Sequence, residues 1–335
     1  MLIPYGNLRN LSIDLVRRLF FFPKKTPFKF QIEVTNECNF TCEICPREYL
    51  NLDSGYMEIV LYSEILKQIP PKSVIVLTGW GEPLLHPKID TMVASASKAG
   101  HWSSLTTNGL SLNPVLAEKL ILAGINNITF SIDSIAKRDN TGHPANRTVL
   151  QNLQWISKYK LANGRSSPTI SVQTTLRDGH ENDIFDLIRY FGKQKDVVER
   201  IHVMRLNAKN NNLVKRPSLE KERCVLRNAE DVAAEYSIRL DTNFSYFDGI
   251  AQSVYKILRP MMYRFDKFCL KNFDSCYINI NGDVTPCCEL PKKSFGNVKQ
   301  GNLIRIWRSE PYQSFRKGFP SDCTNCDGIK LRMLQ

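Results

Sequence analysis

Three cysteines, Cys38, Cys42 and Cys45, lie in the stretch NECNFTCEICP, with three and then two residues between them. Thiolates in one short loop are metal ligands by type, yet they are one fewer than the four that close a structural zinc site or a fully thiolate-bound four-iron cluster. No fourth Cys or His stands at the short spacing that zinc sites use, so a four-iron cluster with one iron left open fits the count better. A second set lies further on: Cys269, Cys287 and the CxxC pair Cys323 and Cys326, with Gly282 between the first two. Four thiolates close a site, and the spacing serves an iron-sulfur cluster or a zinc ribbon. Cys224, Cys276 and Cys288 remain, each read first as a small apolar residue.

The chain that must position these thiols has 335 residues, 42% of them hydrophobic, with both charge signs abundant. That composition implies a large domain with a sizeable core plus a smaller unit. Ten cysteines in clusters imply metal or redox chemistry in a reducing cytosol rather than a disulfide framework. The apolar runs are too short to span a bilayer and no signal-peptide pattern opens the chain, so a cytoplasmic protein is expected. A net charge of +12 points to an anionic partner without choosing it. Residues 1–27 include LSIDLVRRLFFFPKK, whose apolar and basic residues interleave; such a segment packs on its own domain or touches a membrane surface.

From Phe28 onward, six short apolar runs (FKFQIEV, SVIVLTG, SSLTTNG, NITFSID, TISVQTT and RIHVMRL) alternate with helical patterns. That alternation predicts parallel strands joined by right-handed crossovers, as a doubly wound sheet or as a full or partial barrel of the triosephosphate isomerase type. Functional loops should follow the strand C-termini in either case. Cys38 follows the first strand, Gly79 to Pro83 the second and Asn108 the third, while Ser131 and Asp133 end the fourth. Residues 208–268 read as a polar linker and a helical bridge from Leu219 to Tyr236. Residues 269–335 form a second unit with a hairpin turn at Asn281-Gly282-Asp283.

The C-x3-C-x2-C spacing after a first strand resembles the signature of the radical S-adenosylmethionine enzymes, over residues 28–207. TGWGEPLLHP resembles the family's Gly-Gly-Glu-Pro motif, with Trp80 in place of its first glycine. The resemblance implies a partial (β/α)6 barrel. The cofactor's amino and carboxylate groups would fill the open iron position, and Gly81, Glu82 and Pro83 would receive its ammonium. Asn108 and Ser131 stand where relatives hydrogen-bond the ribose or methionine carboxylate. Arg205, at the end of the sixth strand, is a candidate for the cofactor carboxylate or an anionic substrate. The later cysteines, with GNVKQGNLIRIW between them, resemble the SPASM or twitch domain, implying one auxiliary four-iron cluster on Cys269, Cys287, Cys323 and Cys326.

The implied activity is reductive cleavage of S-adenosylmethionine and abstraction of hydrogen from an unactivated carbon, with an external reductant such as flavodoxin or ferredoxin. Cys276 and Cys288 are then candidate hydrogen-atom donors to a substrate radical. The short stretch before the first strand favours a small polar substrate, such as a sugar, aminocyclitol or nucleotide-linked sugar, undergoing oxidation or epimerisation. Maturation of a ribosomal peptide is the alternative. A non-enzymatic iron-sulfur or zinc protein that binds nucleic acid leaves GWGEPLL unexplained.

Overall fold

The computed structural model describes residues 25–52, 54–135, 147–194, 196–206, 214–242 and 274–317. The N-terminal segment, most of the bridge between the two units, and Cys269, Cys323 and Cys326 lie outside them.

The elements run β1 (Lys29–Ile32), α1 (Arg47–Leu50), α2 (Ile59–Gln68), β2 (Val74–Val76), α3 (Ile89–Lys98), β3 (Trp102–Thr107) and α4 (Pro114–Leu122). They continue with β4 (Asn127–Ser131), α5 (Arg147–Ala162), β5 (Thr169–Leu176), α6 (Glu181–Gly192), β6 (Arg200–Arg205), α7 (Leu219–Glu235) and β7 (Arg239–Thr242). The second unit supplies β8 (Ser275–Ile278), β9 (Val284–Thr285), α8 (Leu303–Arg308) and α9 (Glu310–Lys317). The sheet order is β7-β6-β5-β4-β3-β2-β1-β8-β9, parallel except for β9 against β8. Strands β1 to β7 lie side by side in chain order. A doubly wound sheet reverses its order at a switch point, so the observed order selects the barrel-type alternative.

Local chemistry explains the elements. On α6, Ile184, Leu187, Ile188 and Phe191 recur at helical spacing and are buried. Asn113, Ser218 and Asn302 cap α4, α7 and α8 by accepting backbone N–H bonds at the first turn. The hairpin joining β8 to β9 turns at Gly282, whose φ of +89° suits a residue without a Cβ. The Asn279 side chain accepts from Asn281 N and Asp283 N beneath it.

Strand alternation sorts the residues onto two faces. Phe30, Ile32, Ile75, Leu105, Ile128, Phe130, Ile170, Val172, Ile201 and Val203 join the buried apolar cluster with the helices. The intervening positions, including Asn127, Thr129, Ser131, Ser171, Gln173, Thr175, His202 and Met204, therefore line the opposite, concave face, which is mainly polar. β7 departs from the sequence expectation, which read a helical bridge alone. Ile238 and Leu240 pack on the core and alternate with Arg239 and Asp241, so the bridge returns from α7 as one more parallel strand. The second unit is continuous with the barrel sheet, since β8 pairs with β1 from Lys29↔Ser275 to Ile32↔Ile278.

Candidate metal centre and cofactor site

β1 runs on into Glu33 to Asn36, and the cysteine loop starts from that anchored stretch. Asn36 Oδ1 accepts from Gly55 N at 2.8 Å, and Thr35 Oγ1 donates to Gly55 O at 2.8 Å. Arg47, just after the last cysteine, donates to Asn36 O and Phe40 O across the loop. Phe40 N points at Cys38 Sγ at 3.4 Å, and Cys45 N closes a turn on Cys42 O at 2.9 Å. All three thiols are half-buried. Burial raises Cys38 and pushes Cys45 up to about 11; each also feels the charge of Cys42, while Arg47 acts in the opposite sense. Thiols near enough to repel as anions, a backbone N–H directed at sulfur and an arginine over the loop suit a thiolate-bound cluster, whose positive irons would offset that repulsion. Among the described residues no group of three or more His, Cys, Asp and Glu side chains is already gathered at metal-binding distance.

The GWGEP segment is built for close backbone approach. A Cβ on Gly81 would lie 2.5 Å from both Thr35 O and Glu37 O, and Glu82 N donates to Glu37 O at 2.8 Å. A Cβ on Gly79 would lie 2.2 Å from Glu33 Cγ. These glycines let the β2 end lie directly on the root of the cysteine loop. Gly81→Ala should cost about 1–3 kcal/mol of apo-protein stability, read by urea unfolding, because the obstructing atoms are backbone.

Glu82 is 3% exposed. Its Oε1 accepts from Leu84 N at 2.9 Å and Thr107 Oγ1 at 2.6 Å, and its Oε2 accepts from Asn108 N at 2.7 Å. Asn108 Nδ2 donates to Asn39 Oδ1 at 2.7 Å, inside the cysteine loop, and Asn39 Nδ2 donates to Ser111 Oγ at 3.2 Å. Glu82 and Asn108 thus join the ends of β2 and β3 to the loop carrying the thiols. Pro83 opens a buried turn, after which His86 Nε2 lies 2.9 Å from Met57 O and Nδ1 accepts from Lys88 N.

Two expectations are corrected. Arg205 shares the helix-facing side of β6 with Ile201 and Val203, and its Nη2 lies 3.0 Å from Glu222 Oε2 on α7. Strand alternation and the need of a buried charge for a partner turn it away from the concave face. His202 and Met204 face that side instead. Cys276 lies within β8 opposite Phe30 and is 1% exposed, with burial pushing its thiol up to about 12. It is a core residue, walled off from a substrate.

Cys287 and Cys288 are half-buried just after β9. Trp80, the residue departing from the family motif, donates its indole N–H to Cys288 O at 2.8 Å, while its backbone N donates to Glu33 Oε1 at 3.1 Å. Burial holds the Glu33 carboxyl above its usual range, and the Tyr277 phenol is raised by its own burial and by the charges of Glu33, Cys288 and Cys287. One tryptophan therefore ties the cofactor loop to the second unit's cysteine turn. Its partner lies 208 positions away in the chain, so no local pattern signals the contact.

Comparison with known proteins agrees with this architecture. Residues 32–191 match the radical SAM superfamily, and residues 269–327 match SPASM, an iron-sulfur cluster-binding domain. The chain is 26% identical to a tungsten-containing aldehyde ferredoxin oxidoreductase cofactor-modifying protein of Pyrococcus furiosus, covering 88% of this chain and 86% of that protein. It is 23% identical to a PqqA peptide cyclase of Gluconobacter oxydans, with 90% and 83% covered. The fold resembles Streptococcus suis SuiB bound to precursor peptide SuiA, at a TM-score of 0.67 and 17% identity over 97% of this chain and 76% of that one. The chain is thus a radical SAM enzyme with a C-terminal SPASM domain, and with these domains come a four-iron cluster, S-adenosylmethionine and further iron-sulfur ligation.

Proposed function

We propose that this enzyme modifies a peptide. The observation that carries the reading is similarity running through both domains, over 90% of the chain, to a protein named for cyclising a peptide. It replaces the small sugar-like substrate expected from the sequence. The concave face supports it: Ser131, Gln173 and Thr175, part-exposed in the C-terminal halves of two neighbouring strands, carry uncharged hydroxyl and amide groups suited to a peptide's amides.

The bound cluster and S-adenosylmethionine supply reductive cleavage and a hydrogen-abstracting radical. This chain's residues hold and shield that chemistry. Cys38, Cys42 and Cys45 are the ligands, and Arg47, Asn39, Asn108 and Glu82 keep their loop in place. Gly81, Pro83 and Ser131 line the cofactor's side of the strand ends. Cys287 serves an auxiliary cluster with Cys269, Cys323 and Cys326. Cys288, tied to Trp80 beside the cofactor loop, is the remaining candidate hydrogen donor. A flavodoxin- or ferredoxin-type protein supplies the electron. Among the described residues no helix is long and apolar enough to cross a membrane.

Substrate class can be read without knowing the substrate. Cells of the source organism grown in deuterated medium yield an extract that is separated into peptide and small-molecule fractions. Each fraction is then incubated with the reconstituted enzyme, dithionite and unlabelled S-adenosylmethionine. The expected result is deuterium in 5'-deoxyadenosine from the peptide fraction only, lost after protease digestion. Label from the small-molecule fraction alone would overturn the peptide reading.

A further inference from the structure

The strand registers place one concave row across the sheet. Ser131 pairs with Gln173, Gln173 with His202, and His202 with Asp241. With neighbouring strands about 4.8 Å apart, His202 stands roughly 10 Å across the concave face from Ser131. His202 Nδ1 lies 3.8 Å from Asp241 Oδ2, an approach that becomes an ion pair when the imidazole is protonated. The carboxylate is itself held in place, by Arg200 Nη1 at 3.4 Å and by Arg239 Nε at 2.9 Å. His202 is part-exposed, its side chain at 29%, with the uncharged Gln173 and Thr175 towards β5 and the charged Asp241, Arg239 and Arg200 on its other side. Neither cluster loop uses this pair, and no motif of the family match points to it.

We propose that His202, braced by Asp241, is a catalytic residue that contacts the substrate across the concave face and takes a proton from one of its polar N–H or O–H groups. With Nδ1 turned to Asp241, Nε2 is the nitrogen available to a ligand. The proton passes to Nε2, the substrate heteroatom keeps the electron pair, and Asp241 stabilises the imidazolium. Solvent later recovers the proton, and no electron moves. The charged groups facing His202 are Asp241 and Arg239 from β7 and Arg200 from its own strand; Gln173 and Thr175, towards β5, are uncharged. Burial lowers the imidazole's pKa, Arg200 and Arg239 lower it further, and Asp241 opposes them. The balance favours the neutral ring, the form able to accept a proton. The proposal rests on the peptide reading for the substrate's polar groups, but its test does not.

Two measurements test it. In the cluster-free full chain with 15N-labelled histidine, His202 should titrate below the ordinary histidine range, and Asp241→Asn should lower it further. In the reconstituted enzyme, the probe is whichever deuterated fraction, peptide or small-molecule, labels 5'-deoxyadenosine with the wild type. Failure of the peptide reading therefore leaves this comparison intact. Product formed per 5'-deoxyadenosine should fall as pH drops through the His202 pKa. His202→Gln should lower that ratio about a hundredfold and remove the acid limb, and Asp241→Asn should move the limb to lower pH. If His202→Gln does not fold, the Asp241→Asn shift alone decides. A His202→Gln enzyme with the wild-type ratio and acid limb, or an imidazole titration indifferent to Asp241→Asn, would overturn the proposal.

Discussion

Replacing Cys38, Cys42 and Cys45 together with alanine is expected to remove about half of the reconstituted iron and all cleavage of S-adenosylmethionine, with the remaining iron still in a four-iron cluster. The two ligand sets lie on separate loops, one after β1 and one including the turn after β9, so loss of the first leaves the second its own thiols. Iron quantitation with Mössbauer spectroscopy separates the cases. Loss of all iron would mean that the two sites assemble as one, and cleavage surviving the triple change would remove this loop from the reaction.

The second large effect is expected at Glu82. A residue that only met the cofactor would leave the apo protein unchanged when replaced. Glu82 instead takes bonds from Leu84 N, Thr107 Oγ1 and Asn108 N in a buried position. Bonds to a charged group contribute about 1.5–3 kcal/mol each, and removing one side leaves buried donors without an acceptor. Glu82→Ala should therefore cost about 3–5 kcal/mol in the absence of iron and cofactor, comparable to breaking a buried ion pair. Glu82→Gln should rescue little, because with its oxygen kept for Leu84 and Thr107 its NH2 group would face the Asn108 N–H. Thermal melts of apo protein give the first number, and calorimetric titration of S-adenosylmethionine into reconstituted protein gives the effect on binding. Wild-type apo stability in both variants would return Glu82 to a purely ligand-facing role.

Much of the barrel was legible because its signals are periodic. Each of the six predicted strands forms in place, with helices in the intervals between them. β7 was hidden because RLDT has a single apolar residue, and its strand character comes from pairing with β6. The cysteine loop was legible because thiol spacing is a one-dimensional signal. Arg205 was misplaced because strand-end position was weighed without the face: one residue of register separates the buried pair with Glu222 from the concave side. Trp80 and the His202–Asp241 pair depend on partners 208 and 39 positions away in the sequence, contacts that no local pattern encodes.

The central claim is that three protein ligands leave one iron for the cofactor, and electron-nuclear double resonance tests it most directly. The reduced, reconstituted enzyme is given S-adenosylmethionine carrying 15N in its amino group and 13C in its carboxylate. Direct iron-to-ligand coupling to both nuclei is predicted in the wild type and should vanish in the Cys38, Cys42 and Cys45 triple variant, whose second cluster remains to serve as the control. Saturating cofactor with no coupling to either nucleus in the wild type would contradict the account.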